Sequence, residues 1–201
     1  MDRVSRFTSA AESSTAVRFE RLQAERNKKR SDLEAADGHV QLVPTCEEMC
    51  PEWERLEREL HFDVHSFEAL NYDSATSSTN YLIDHNRAVK KYHRPAAGNE
   101  TPLPEDVRTP DCLLRVLQYL FHQILDNNKY SFSDRHSFIR DRTRSVRQDL
   151  TLQSCHDTRA VLMHEQIARF HIISGHVLCE ADPAEFDSFQ NTEQLRKVLQ
   201  S

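Results

Sequence analysis

Between Asp111 and Asp126 the chain carries Leu113, Leu114, Val116, Leu117, Tyr119, Leu120, Phe121, Ile124 and Leu125, which at helical spacing nearly surround the axis. A helix that is apolar on most sides has to be buried, so the chain must supply other elements to cover it. Its start is marked by Thr109 as a cap, Pro110 at the first helical position and Asp111 against the helix dipole. The same periodicity predicts further helices: Pro51 to about Phe62 with Trp53, Leu56 and Leu60 on one face, and Thr79 to about His93 with Tyr81, Leu82, Val89 and Tyr92. Others are expected from a cap at Ser133 to about Gln153, from a cap at Asp157 to about Cys179, and from a cap at Thr192 to the end. With only 3 Gly among 201 residues, glycine-dependent turns and phosphate loops have little material. The expected fold is all-α, an array of antiparallel helix pairs as in an α-solenoid. Residues from about 50 onward should be almost wholly helical, with 111–126 the most buried helix.

The front of the chain reads differently. Residues 1 to about 15 are rich in Ser, Thr and Ala without an apolar period, and read as a disordered tail. From Ala16 to about Ala36 the sequence favours helix, but Val17, Leu22 and Leu33 are too sparse for a core-facing stripe, which predicts an exposed or partner-dependent helix. The boundary falls at residues 1–39, a disordered and basic helical segment, against 40–201, the folded helical part. Within the first helix Arg26, Lys28, Lys29 and Arg30 form a basic cluster, either a solvated face or a contact for RNA or nuclear import. The net charge of −6 gives no general attraction to nucleic acid, so any RNA contact must be local. The 5 Cys are scattered and read as reduced thiols, and no run approaches the roughly 18 apolar residues of a membrane span.

Cofactors are not expected. Cys46, Cys50, His61 and His65 are spaced C-x3-C-x10-H-x3-H, near a zinc-finger pattern but with too short a central spacer and a continuous helix in between. The better account is structural: Cys46, Met49 and Cys50 seat the chain against the helix that Pro51 starts. The 11 His show no H-E-x-x-H spacing, and no serine elbow or cysteine signature is present, so no catalytic set can be proposed. The run Arg140 to Asp149 is richer. Arg140, Arg144 and Arg147 share one helix face and Arg142 points away. It suits either phosphate contacts or half-buried ion pairs with Asp141, Asp149, Asp134 or Glu165. The sequence favours ion pairing for this run and a solvated face for the basic cluster at 26–30, with any RNA binding expected at that cluster rather than at the run.

Five motifs in a fixed order carry a family resemblance. Pro44 to Glu52, with Thr45, Cys46, Met49, Cys50 and Pro51, resembles the signature that opens the scaffold domain of the germinal-centre-associated nuclear protein (SAC/GANP) family. Arg108 to Leu120 is similar to that family's arginine–proline–leucine helix, and Asp141 to Gln153, including Arg142, Arg144, Arg147, Gln148 and Asp149, to its most distinctive run. Glu165 to Ile172 and Phe189 to Ser201 complete the set, so the resemblance covers about residues 43 to 201. It implies a PCI-type helical-repeat half, here without the winged helix that follows it in the family. It also implies a non-enzymatic scaffold in nuclear mRNA export, at the nuclear envelope and nuclear pore. The implied partners are a PCI-domain subunit, a small acidic subunit and mRNA, with no membrane. The alternative it leaves open is a helical interaction domain acting at the centrosome or mitotic spindle.

Overall fold

A computed structural model describes residues 3–35, 42–70, 82–94 and 102–201 of the protein. Six α-helices carry the described residues: α1 (Arg3–Ala35), α2 (Glu52–Leu60), α3 (Pro110–Tyr119), α4 (Phe132–Leu152), α5 (Thr158–Val177) and α6 (Ser188–Leu199). Two short 3-10 turns, Ser66–Glu68 and Pro104–Asp106, and a π-helical stretch, Leu120–Leu125, complete the regular structure. Among the described residues there are no strands, only isolated bridges between Cys46 and Arg108 and between Ala69 and Ile83. The all-α expectation holds. The chain divides into two compact units, residues 1–90 with 94–108, and residues 91–93 with 109–201.

In the first unit α1 begins at Arg3, so the stretch expected as a disordered tail has a helical backbone. The helix docks through a stripe that aliphatic counting misses. Phe19, Gln23 and Arg26 recur at i, i+4 and i+7, and all three meet Trp53 of α2. Phe19 stacks on the indole with ring centroids 5.7 Å apart. Gln23 Oε1 accepts from Trp53 Nε1 at 2.8 Å, and the Arg26 guanidinium lies 4.5 Å above the ring. Val17, one of the aliphatic positions that prompted the exposed-helix reading, is indeed solvent-facing.

The helix expected from Thr79 to His93 is not formed. Residues 79–81 and the polar 73–78 segment lie outside the described residues, and 82–94 is a turn at 85–87 followed by irregular backbone. Tertiary acceptors take the N–H groups a helix would use internally: Val89 N–H donates to Glu68 Oε1 at 2.8 Å and Lys90 N–H to the Met49 carbonyl at 3.0 Å. The described residues between 50 and 109 are therefore far less helical than the periodicity suggested. α2 presents Arg58 to this region, where it pairs with Glu68, both fully buried. Burial works against the Arg58 charge, but the carboxylate of Glu68 outweighs it and the guanidinium pKa is raised.

The second unit is built as expected around the apolar helix. Thr109 Oγ1 accepts from Cys112 N at 3.3 Å with Pro110 at the first position, and Cys112, Leu113, Val116, Leu117, Leu120 and Ile124 are buried. The single expected helix changes to π-helical winding at Leu120. α4, with ten buried residues, contributes more than this helix does, so the expected ranking is reversed. Its cap is Ser131, whose hydroxyl accepts from Asp134 N at 3.0 Å, rather than Ser133. α5 is capped by Asp157 as expected, through Arg159 N at 2.9 Å and Ala160 N at 3.2 Å. α6 starts four residues before the expected cap: Asp187 accepts from Gln190 N, and Thr192 is interior, its hydroxyl donating back to the Ser188 carbonyl.

Candidate functional site

The cysteine–proline segment is a junction of backbone bonds. Thr45 N–H donates to the Pro104 carbonyl and Cys46 N–H to that of Val107, laying the segment beside residues 104–108. The Met49 carbonyl accepts both Lys90 N–H and, at 3.2 Å, Nη1 of the fully buried Arg108. Cys50 is sealed beneath it with Ile83 and Ala88. Burial, then the Glu54 charge, raise its thiol pKa well above the ordinary value, which makes it an inert core group. Pro51 immediately precedes α2 as its cap residue. Of the two histidines in the zinc-like spacing, His65 Nδ1 accepts from Phe67 N and starts a 3-10 turn. No group of three or more metal-ligating side chains occurs among the described residues.

The basic cluster of α1 is largely neutralised within its own unit. Arg26 is buried and forms a two-bond pair with Asp106, at 2.5 and 2.7 Å. Lys29 reaches Glu105 at 2.6 Å. Lys28 is exposed and Arg30 partly covered. Two of the four cations are thus committed to carboxylates, Arg26 in a half-dry setting where it stabilises the helix docking.

The arginine run has the opposite character. Arg142 is buried over Phe138, at 4.5 Å, and bonded to Asp141 at 2.5 Å, and Asp149 is fully buried. Arg140, Arg144 and Arg147 share a face, but none of them forms the carboxylate pair that the sequence favoured. Asp134 is bonded to Ser131, and Glu165 to Arg169. Arg140 bonds to Gln190 and Arg147, at 2.5 Å, to Gln194, one turn apart on α6. The Arg144 guanidinium lies over Tyr92, its Cζ 3.8 Å from the ring centroid. Tyr92 is fixed in turn because its N–H donates to Asp141 Oδ2 and the next carbonyl, of His93, accepts from Gln148 Nε2 at 3.0 Å. Burial, and then the charge of Arg144, push the pKa values of Arg140 and Arg147 down.

A third cluster escaped sequence reasoning. Asn191 of α6 is buried, and its Oδ1 accepts from His171 Nδ1 at 2.8 Å and His136 Nε2 at 3.2 Å, while its Nδ2 donates to the His171 carbonyl at 2.9 Å. His136 stacks on Phe170 with centroids 5.5 Å apart and meets Phe186 edge-on. Burial pushes both imidazoles down to about 4, so both are neutral donors at physiological pH. Three helices, α4, α5 and α6, are pinned by one amide. The signal that could have found it is Gly175, whose absent side chain leaves room for Asn191: a Cβ there would stand 3.3 Å from Nδ2.

The geometry defines an all-α protein whose described surface carries guanidinium groups and exposed apolar side chains. Comparison with known proteins narrows this: residues 49–201 match the model of the SAC3/GANP family, and the chain belongs to that family. It is 42% identical over 212 aligned residues to SAC3 family protein 1 of Schizosaccharomyces pombe, covering 99% of this chain and 19% of that protein. It is 39% identical to Protein xmas of Drosophila melanogaster and 33% identical to SAC3 family protein B of Arabidopsis thaliana. Each of these alignments covers 83% of this chain, but only 8% and 10% of the relatives respectively.

Proposed function

We propose that this chain is a helical scaffold segment of a nuclear mRNA-export assembly. In this reading it joins a PCI-domain subunit and a small acidic subunit, contacts mRNA, and works at the nuclear pore rather than as an enzyme. The observation that carries the reading is family membership across residues 49–201 together with 42% identity along nearly the whole chain. The surface is in keeping with it. α5 buries Met163, Ile167 and Phe170 but turns Val161, Leu162, Ile172 and Ile173 to solvent, a density of exposed apolar side chains typical of interaction faces. The test is affinity purification of the tagged chain from nuclei, with and without nuclease. Recovery of PCI-domain and pore components, with an RNA-dependent fraction, is expected. Recovery of centrosomal or spindle components in their place would reject the export role.

A further inference from the structure

We propose that Arg140, Arg144 and Arg147 form a phosphate-binding row for single-stranded RNA, a site that rests on the export reading for its ligand but on geometry for its place. The three guanidiniums recur along one face of α4, about 6 and 4.5 Å apart in axial rise. A linear series of cations fits a chain of phosphodiesters better than a single anion, and the guanidinium fork suits phosphate oxygens. Their partners orient them without neutralising them. Gln190 and Gln194 are neutral acceptors that fix the two outer arginines, and the Tyr92 ring lies under the middle one. Tyr92 itself is anchored to α4 through Asp141.

Nearby carboxylates are already engaged. Asp141 bonds Arg142 and the Tyr92 N–H, and Asp187 caps α6 through Gln190 N. Among the described residues the Nε–H groups of Arg140 and Arg147 meet no acceptor. In a chain of net charge −6 with 32 acidic residues, three adjacent half-buried arginines with no bonded carboxylate among the described residues, and only the longer-range charges of Asp141 and Asp187 acting on Arg140, are a costly arrangement. An arriving phosphate chain would relieve the mutual repulsion along the row, whereas the Nε–H groups, being buried, lie out of its reach. Arg144 adds a second element, since a guanidinium held over an aromatic ring can take a nucleobase on its other side.

The experiment uses the full chain and a fluorescein-labelled 15-nucleotide single-stranded RNA, with anisotropy followed across a salt series. Three phosphate contacts predict a log–log salt slope of about −2, and each single Arg→Gln variant should reduce its magnitude by about 0.7. The triple variant Arg140→Gln, Arg144→Gln, Arg147→Gln should lose the salt-dependent binding, whereas Lys28→Ala should retain it. If the triple variant does not fold, arginine modification by phenylglyoxal on the unaltered chain decides the matter: RNA should protect these three positions. Absence of binding by the unaltered chain overturns the proposal, as does wild-type affinity in a folded triple variant or lack of protection. Poly-glutamate competing as well as RNA at equal charge would reassign the row to an acidic protein partner. Loss of RNA binding with nuclear partners still recovered separates this site from the scaffold reading. The reverse pattern, RNA bound but no export components recovered, sinks the scaffold reading alone.

Discussion

Acidification should weaken the second unit through one identifiable cluster. His136 and His171 are buried donors to a single amide oxygen, with pKa values pushed from 6.5 to about 4 by burial. Because the folded value is depressed, the unfolded chain binds more protons between those limits. Stability is therefore full above about pH 6.5 and falls as pH drops towards 4. One histidine with that shift contributes roughly 3 kcal/mol in total, of which about 2 kcal/mol is lost between pH 7 and pH 5. The two share Asn191 and do not simply add. Carboxylates titrate nearby, so the test is a difference: urea melts of the wild type and His136→Phe at pH 7, 6, 5 and 4. Phenylalanine preserves the ring packed between Phe170 and Phe186 and leaves Asn191 bonded to His171. The wild-type curve should fall more steeply by up to about 1.4 kcal/mol per pH unit through this window. Parallel curves would show that His136 does not titrate as its surroundings dictate and would refute the reasoning.

Other outcomes follow from the same geometry. Arg26→Ala should destabilise the first unit by about 2–4 kcal/mol, since it leaves Asp106 unpaired and strips the cation from Trp53. Hydrogen exchange should show α1 opening first. Leu117→Ala, at a fully buried position of α3, should cost about 2–5 kcal/mol in denaturant melts, and a change under half a kcal/mol would remove that helix from the core. Gly175→Ala should lower Tm although alanine favours a helix by about 1 kcal/mol. The new methyl would stand 3.3 Å from an Nδ2 that its bond to the His171 carbonyl keeps in place, and a raised Tm would mean that Asn191 can move.

The sequence disclosed what depends on local chemistry. Apolar periodicity and caps at Thr109 and Asp157 placed α3 and α5, because each signal is confined to a few adjacent residues. What it concealed depends on partners far along the chain. Residues 82–94 have apolar spacing compatible with a helix, yet Glu68 and Met49 claim their N–H groups. α1 seemed too polar to dock because its stripe is Phe19, Gln23 and Arg26, a set that only Trp53 and Asp106 make complementary. The arginine run was located correctly by its density and helical phase. The ion pairing expected there holds for Arg142 with Asp141 and not for Arg140, Arg144 and Arg147, whose orienting glutamines and tyrosine lie about fifty residues away in the chain.

The docking of α1 also sets an order of events during synthesis. Its anchoring pair, Arg26 with Asp106, spans 80 residues, and the Cys46–Arg108 bridge closes the same unit at the far end. At roughly 5–20 residues per second a ribosome needs about 4–16 seconds to deliver Asp106 after Arg26. Phe19 can stack on Trp53 soon after α2 is made, but throughout that interval Arg26 and Lys29 lack the carboxylates of Asp106 and Glu105, and closing so long a loop is intrinsically slow. The docking of the nascent amino-terminal helix is thus completed in two stages, first on Trp53 and then, once residues 105–106 have emerged, through its carboxylate pairs.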